Sequence, residues 1–148
     1  MINDKHEIMR LLIRAEKARK RVLQPHLANI GLTFGQGHVR ILNTLLQKDG
    51  ITQKELAELC HMDEASISRS LDKLSRSGYL ERRPDPSSRR SFLICLTQEG
   101  LLEAEKVRAL LAFVDDQLWA GISPEEMEIF AQYLEKICEN LENCSLPR

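Results

Sequence analysis

The feature that most constrains this chain is the recurrence of apolar residues every three or four positions in three long stretches. Ile8, Leu11, Ala15, Ala18 and Val22 form the first. Val107, Leu110, Val114 and Leu118 form the second, and Met127, Phe130, Leu134, Ile137 and Leu141 the third. This spacing places each set along one stripe of an α-helix. Three such seams are more than one small domain can cover, and a partner subunit is the natural place to bury them. The 148 residues suit one compact domain. The expected class is therefore mainly α, with long helices at both ends of the chain.

Between these ends the chain is cut into short elements. The first helix is expected from about Asp4 to Ile30, with a kink or break at Pro25. After Gly31, Gly35 and Gly37, a second helix is expected from about Phe34 to Lys48, stopped by Asp49-Gly50. Thr52, with Glu55 three residues on, reads as a capping box opening a short helix to Leu59. Asp63 is the next N-cap, and Gly78 sits where a helix ends. Two short strands are expected at Leu80–Arg83 and Phe92–Leu96, joined by a polar loop from Pro84 to Ser91. Thr97 opens the long helix of the second seam. Ser123, Pro124 and Glu126 supply an N-cap, a first-turn proline and a capping-box partner for the last helix.

Several function classes find no support. No apolar run approaches the roughly 18 residues needed to cross a bilayer, and the first ten residues do not resemble a secretory signal, so a cytoplasmic protein is expected. Cys60, Cys95, Cys138 and Cys144 form no CxxC pair and read as reduced thiols, Cys60 in the core. No nucleophile elbow, phosphate loop or paired-histidine helix is present, so no enzyme, catalytic residue, metal or cofactor is expected.

Net charge is -1, but its distribution is uneven. Residues 1–51 hold nine Lys/Arg against four Asp/Glu, and residues 97–148 hold four against eleven. Residues 65–96 hold seven basic against three acidic side chains, enough for a basic patch on a nearly neutral protein. On the helix after Asp63, Ile67, Leu71 and Leu74 share the inward direction at 100° per residue. Ala65, Ser68, Arg69, Asp72, Lys73 and Arg76 point outward or to the flanks. Small side chains near the start let a backbone approach base edges in a major groove, and basic ones hold phosphates. A merely solvated face would look similar. The hairpin discriminates, because Arg82, Arg83, Arg89 and Arg90 surround a tip whose only acid is Asp85. An arginine so placed can enter a narrow minor groove.

The stretch from Leu32 to Gly100 resembles the MarR (multiple antibiotic resistance regulator) family. The carriers are Gly31-Leu32-Thr33, Thr52 to Ala57, Ser66 to Arg69, Leu71 to Leu74, Gly78 to Arg82, Asp85 to Arg90 and Leu96 to Gly100. Their order and spacing are more specific than any one of them. The resemblance implies a winged helix-turn-helix lobe over residues 31–96. It implies dimerisation helices over 1–30 and 97–148, with the first and last two interlocking between subunits. A homodimer of this kind reads a pseudo-palindromic site on double-stranded DNA. By position, Ser66, Ser68 and Arg69 would contact bases or nearby phosphates, with Ala65, Lys73 and Arg76 beside them. Thr52 and Gln53 would touch phosphate, and Arg89 the minor groove. Arg82 and Arg90 would contact phosphate or support the wing, and Asp85 would orient Arg89. The family's second wing acid is replaced by Ser88, and its frequent turn glycine by His61, a residue that tolerates φ > 0 better than most. The implied role is transcriptional regulation, as a repressor relieved by a small organic effector for which Arg14, His38 and Arg40 are candidate contacts. The alternative is a winged-helix protein-interaction module without direct DNA readout.

Overall fold

The computed structural model describes residues 4–32 and 37–147. Its elements are α1 (Lys5–Asn29), α2 (His38–Gln47), β1 (Ile51–Thr52), α3 (Gln53–Leu59), α4 (Glu64–Arg76), β2 (Leu80–Asp85), β3 (Ser88–Leu96), α5 (Gln98–Leu118) and α6 (Pro124–Glu142). The chain divides into two compact units, 1–114 and 115–148.

In the first unit, α1 starts at Asp4, whose carboxylate accepts the His6 N–H at 3.0 Å. It continues through Pro25, so of the expected kink or break the break does not occur. Pro25 cannot donate to the preceding turn, but Leu23 and Leu27 on either side are buried to 1% exposure and hold the helix down. The expected seam of α1 lies on its uncovered side, with Ile8 45% and Val22 51% exposed. The helix therefore has two apolar faces, and the core takes the one marked by Leu23 and Leu27. The start expected for the second helix, Phe34, lies outside the described residues; α2 is described from His38.

Around α1 the core gathers Ile41, Leu42 and Leu45 of α2, Leu56 of α3, Ile67, Leu71 and Leu74 of α4, Ile94 of β3 and Val107 of α5. The strands form an antiparallel sheet of order β1-β3-β2. Two features of it were not expected. β1 exists, pairing Ile51 with Ile94 and Thr52 with Leu93. The hairpin strands are also longer than Leu80–Arg83 and Phe92–Leu96, and Pro84 stands opposite Phe92. A proline is tolerated there because β2 is an edge strand. Asp49 extends the sheet beyond β1, its carboxylate accepting the Leu96 N–H at 2.8 Å.

Tyr79 joins distant parts of this unit. Its hydroxyl donates to the Ile30 carbonyl at 3.2 Å, and its own carbonyl accepts the Thr97 N–H at 3.1 Å. Gly100 packs directly beneath it, where a Cβ would come within 1.9 Å of the Tyr79 oxygen.

In the second unit, Ser123 and Glu126 complete the expected capping box with Pro124 in the first turn of α6. Trp119 meets Phe130 edge-on at 6.1 Å. Within this unit the last seam is not covered. No α6 residue is buried, and Phe130 and Leu141 are 42% and 67% exposed. One helix and the last turn of another form no second layer to cover it.

Candidate nucleic-acid interface

The helix-turn-helix is set by local chemistry at both ends of its turn. α3 opens on Thr52, whose hydroxyl accepts the Glu55 N–H at 3.2 Å. Only half of the expected capping box forms, because the Glu55 carboxylate takes the Lys48 ammonium instead of the cap's own N–H. At the other end the His61 N–H bonds the Glu58 carbonyl and the Met62 N–H the Ala57 carbonyl, at 3.2 and 3.0 Å. This is a Schellman motif with His61 in the left-handed position at φ 52°. Among the described residues other than glycine, His61 alone has a positive φ. Asp63 then caps α4, accepting the Ser66 N–H at 2.8 Å and its hydroxyl at 3.1 Å. These bonds, with Arg69 nearby, hold the Asp63 carboxyl below its ordinary pKa.

α4 is two-faced as its sequence predicts. Ile67, Leu71 and Leu74 are buried, and Ser70 is buried with them at 5% exposure. Ala65, Arg69, Asp72 and Arg76 are exposed, while Ser66, Ser68 and Lys73 are half-buried on the flanks. Thr52 and Gln53, half-buried, mark the start of α3, with Lys54 exposed beside them. Lys54 was overlooked in the sequence, although it stands inside the Thr52 to Ala57 motif.

The wing is tied to α4. Arg82 Nη2 lies 3.2 Å from Asp72 Oδ1, which brings β2 alongside the outward face of α4. Arg82, though exposed, is thereby paired within the chain, and Asp72, its partner, was not among the expected site residues. Arg83 is also engaged, by the Glu81 carboxylate, which raises its pKa. At the tip the expected Asp85–Arg89 bond is replaced. Asp85 accepts the Ser87 N–H and hydroxyl, at 2.9 and 2.7 Å, because a residue two positions on reaches it without spanning the hairpin. Asp85 thus supports the wing by holding its turn. Among the described residues, no hydrogen bond or ion pair occupies the side chains of Arg69, Lys73, Arg76, Arg89 or Arg90. Arg89 and Arg90 are exposed.

Of the three candidate effector contacts, Arg40 borders a cleft of about 480 Å³ between α1 and α2, beside Arg19, Lys20 and Asn43. Arg14 and His38 do not line it. His38 is fully buried, and burial, with Lys73 nearby, lowers its pKa to about 4. Cys60 and Cys95 are buried, with thiol pKa values raised by burial; Cys138 and Cys144 are exposed. Among the described residues, no cluster of three or more His, Cys, Asp or Glu could hold a metal, and no helix is long and apolar enough to cross a membrane.

Comparison with known proteins agrees with this geometry. The MarR family model matches residues 30–91. The HTH-type transcriptional regulator BilQ of Clostridium symbiosum is 32% identical over 91 residues, 62% of this chain and 63% of that protein, so this match spans under two thirds of the relative. The multiple antibiotic resistance protein MarR of Escherichia coli is 25% identical over 138 residues, 93% and 94% of the two chains. A crystal structure of a mutant MarR from E. coli complexed with operator DNA superposes with TM-score 0.74 at 25% identity, covering 88% of this chain and 93% of that one.

Proposed function

We propose that this chain, whose residues 30–91 match the MarR family model, is a winged helix-turn-helix regulator of that family that controls transcription by binding an operator in double-stranded DNA as a homodimer. The observation that carries this reading is the juxtaposition of the exposed face of α4 with a wing bound to it through Asp72 and Arg82. Both elements present arginines, Arg69 and Arg76 on α4 and Arg89 and Arg90 on the wing, whose side chains form no ion pair among the described residues. Ser66, Ser68 and Arg69 are assigned to base edges or nearby phosphates, with Ala65 allowing close approach. Thr52, Gln53, Lys73, Arg76 and Arg90 are assigned to phosphates, and Arg89 to the minor groove. Arg82, already paired, acts as a support of the wing.

Residues 31–96 form the reading lobe, and residues 1–30 and 97–148 join the subunits. The uncovered apolar stripes support this division: Ile8 and Ile13 on α1, Leu102 and Phe113 on α5, and Ile129 and Tyr133 on α6 are each 45% or more exposed in one chain. A second copy removes them from water. We assign repression as the mode, relieved by a small organic effector in the cleft beside Arg40. A mobility-shift assay on genomic fragments tests the core of the proposal. Binding should weaken steeply with salt, with log K falling by about 0.9 per unit log salt for each phosphate neutralised. A salt-insensitive protein, or one that retains no fragment, overturns the reading and favours a protein-interaction module.

A further inference from the structure

The turn of the helix-turn-helix is gripped from outside by α2. Arg40 Nη1 donates to the Cys60 carbonyl at 2.8 Å. One helical turn later, the Thr44 hydroxyl lies 3.5 Å from Cys60 Sγ. Met62 lies over Gly37, so close that a Cβ there would come within 2.6 Å of its sulfur. Cys60 is the C-cap of α3, and the last turn of α3 holds no basic residue of its own. The carbonyls at a helix C-terminus carry partial negative charge and lack partners within the helix. Arg40 supplies from another helix the cation and the donor that α3 lacks. Only His61 and Met62 separate this carbonyl from Asp63, the cap of α4. Movement of Cys60 therefore passes over two residues into the start of α4, where Ser66 and Arg69 stand.

We propose that Arg40 is a positioning residue for DNA reading, fixing the angle of α4 by capping α3 across the fold. The proposal rests on the regulator reading above and adds to it a residue outside the interface. Arg40 acts through the Cys60 carbonyl and touches no base. Its loss should blur discrimination between sequences more than it weakens attraction to DNA.

The test compares the full-length protein with Arg40→Met, which keeps the apolar stem, and Arg40→Lys, which restores a cation. Amide exchange at His61 and Met62, melting temperature, and affinity for a selected operator and for a random duplex of equal length are measured. In Arg40→Met those amides should exchange about tenfold faster, and operator affinity should fall about tenfold, the effect of one charge-assisted bond. Random-duplex affinity should fall by no more than about twofold, and the melting temperature by no more than about 4 °C. Arg40→Lys should recover part of the protection and of the discrimination. Unchanged amide protection in Arg40→Met overturns the cap. Equal losses on both duplexes overturn the positioning role, because they place Arg40 on a phosphate. A wild-type protein that retains no duplex overturns the regulator reading instead, and amide exchange alone then decides the cap.

Discussion

His38 should make the stability of this protein depend on pH between about 6.5 and 4. The side chain is fully buried at the start of α2, with Lys73 of α4 adding like charge, and its pKa falls from 6.5 to about 4. The unfolded chain binds a proton at this residue below pH 6.5, and the folded chain binds it only below about pH 4. The unfolded state thus holds more protons between these values, and stability must rise with pH across the window. The contribution is fully present above pH 6.5. About 2 kcal/mol of it is lost by pH 5 and about 3 kcal/mol by pH 4. The assay is urea unfolding at fixed protein concentration, from pH 7.5 to 4, on the wild type and on His38→Gln, which cannot titrate. Groups common to both proteins cancel in the difference. The wild type should lose about 3 kcal/mol relative to the variant over that interval. A difference that does not change with pH would refute the argument, since it would mean that His38 gains its proton equally in both states.

Three further outcomes are expected. Gly100→Ala should destabilise the protein by about 2 kcal/mol or more in denaturant unfolding, because the 1.9 Å approach to the Tyr79 carbonyl outweighs the roughly 1 kcal/mol gained in helix propensity. Ile67→Ala should cost roughly 2–5 kcal/mol of stability, whereas Arg69→Ala should leave melting nearly unchanged and cost about 1–3 kcal/mol in operator binding; the reverse pattern would show that the faces of α4 are misassigned. His61→Gly should leave stability unchanged or raise it by up to about 1 kcal/mol, since φ 52° is strained for histidine, while His61→Val should lower it by about 1 kcal/mol or more.

What could be read from the sequence was chemistry that acts over a few residues. The caps at Asp63 and Ser123, the glycine at the end of α4 and the left-handed turn at His61 all depend on neighbours within one helical turn. So does the division of α4 into a face of Ile67, Leu71 and Leu74 and a face bearing Arg69 and Arg76. Choices between competing partners were not readable. Glu55 prefers Lys48 to its own backbone, Asp85 prefers Ser87 to Arg89, and Arg82 finds Asp72 on another element. β1 is two residues long, and its pairing with β3 crosses more than forty positions, so no local pattern announces it. In α1 the periodicity found a real stripe, but two apolar faces coexist there. Spacing does not say which of them meets the chain's own core.

The short β1 also leaves an opening. β3 is the central strand, yet β1 reaches only Leu93 and Ile94, so among the described residues Ser88 and Phe92 pair with β2 alone and Arg89 to Ser91 bulge out of the register between them. Phe92 within that stretch is 54% exposed. An unpaired edge with an exposed aromatic is a template on which another molecule's strand can add. Arg89 and Arg90 occupy this edge, and an incoming copy would bring the same charges against them. Such like-charge repulsion would oppose self-association through this edge. Removing both should lower solubility as well as operator affinity, most of all when no DNA covers the wing. Loss of binding in such a double variant therefore reports on recognition only if the sample is first shown to be monodisperse.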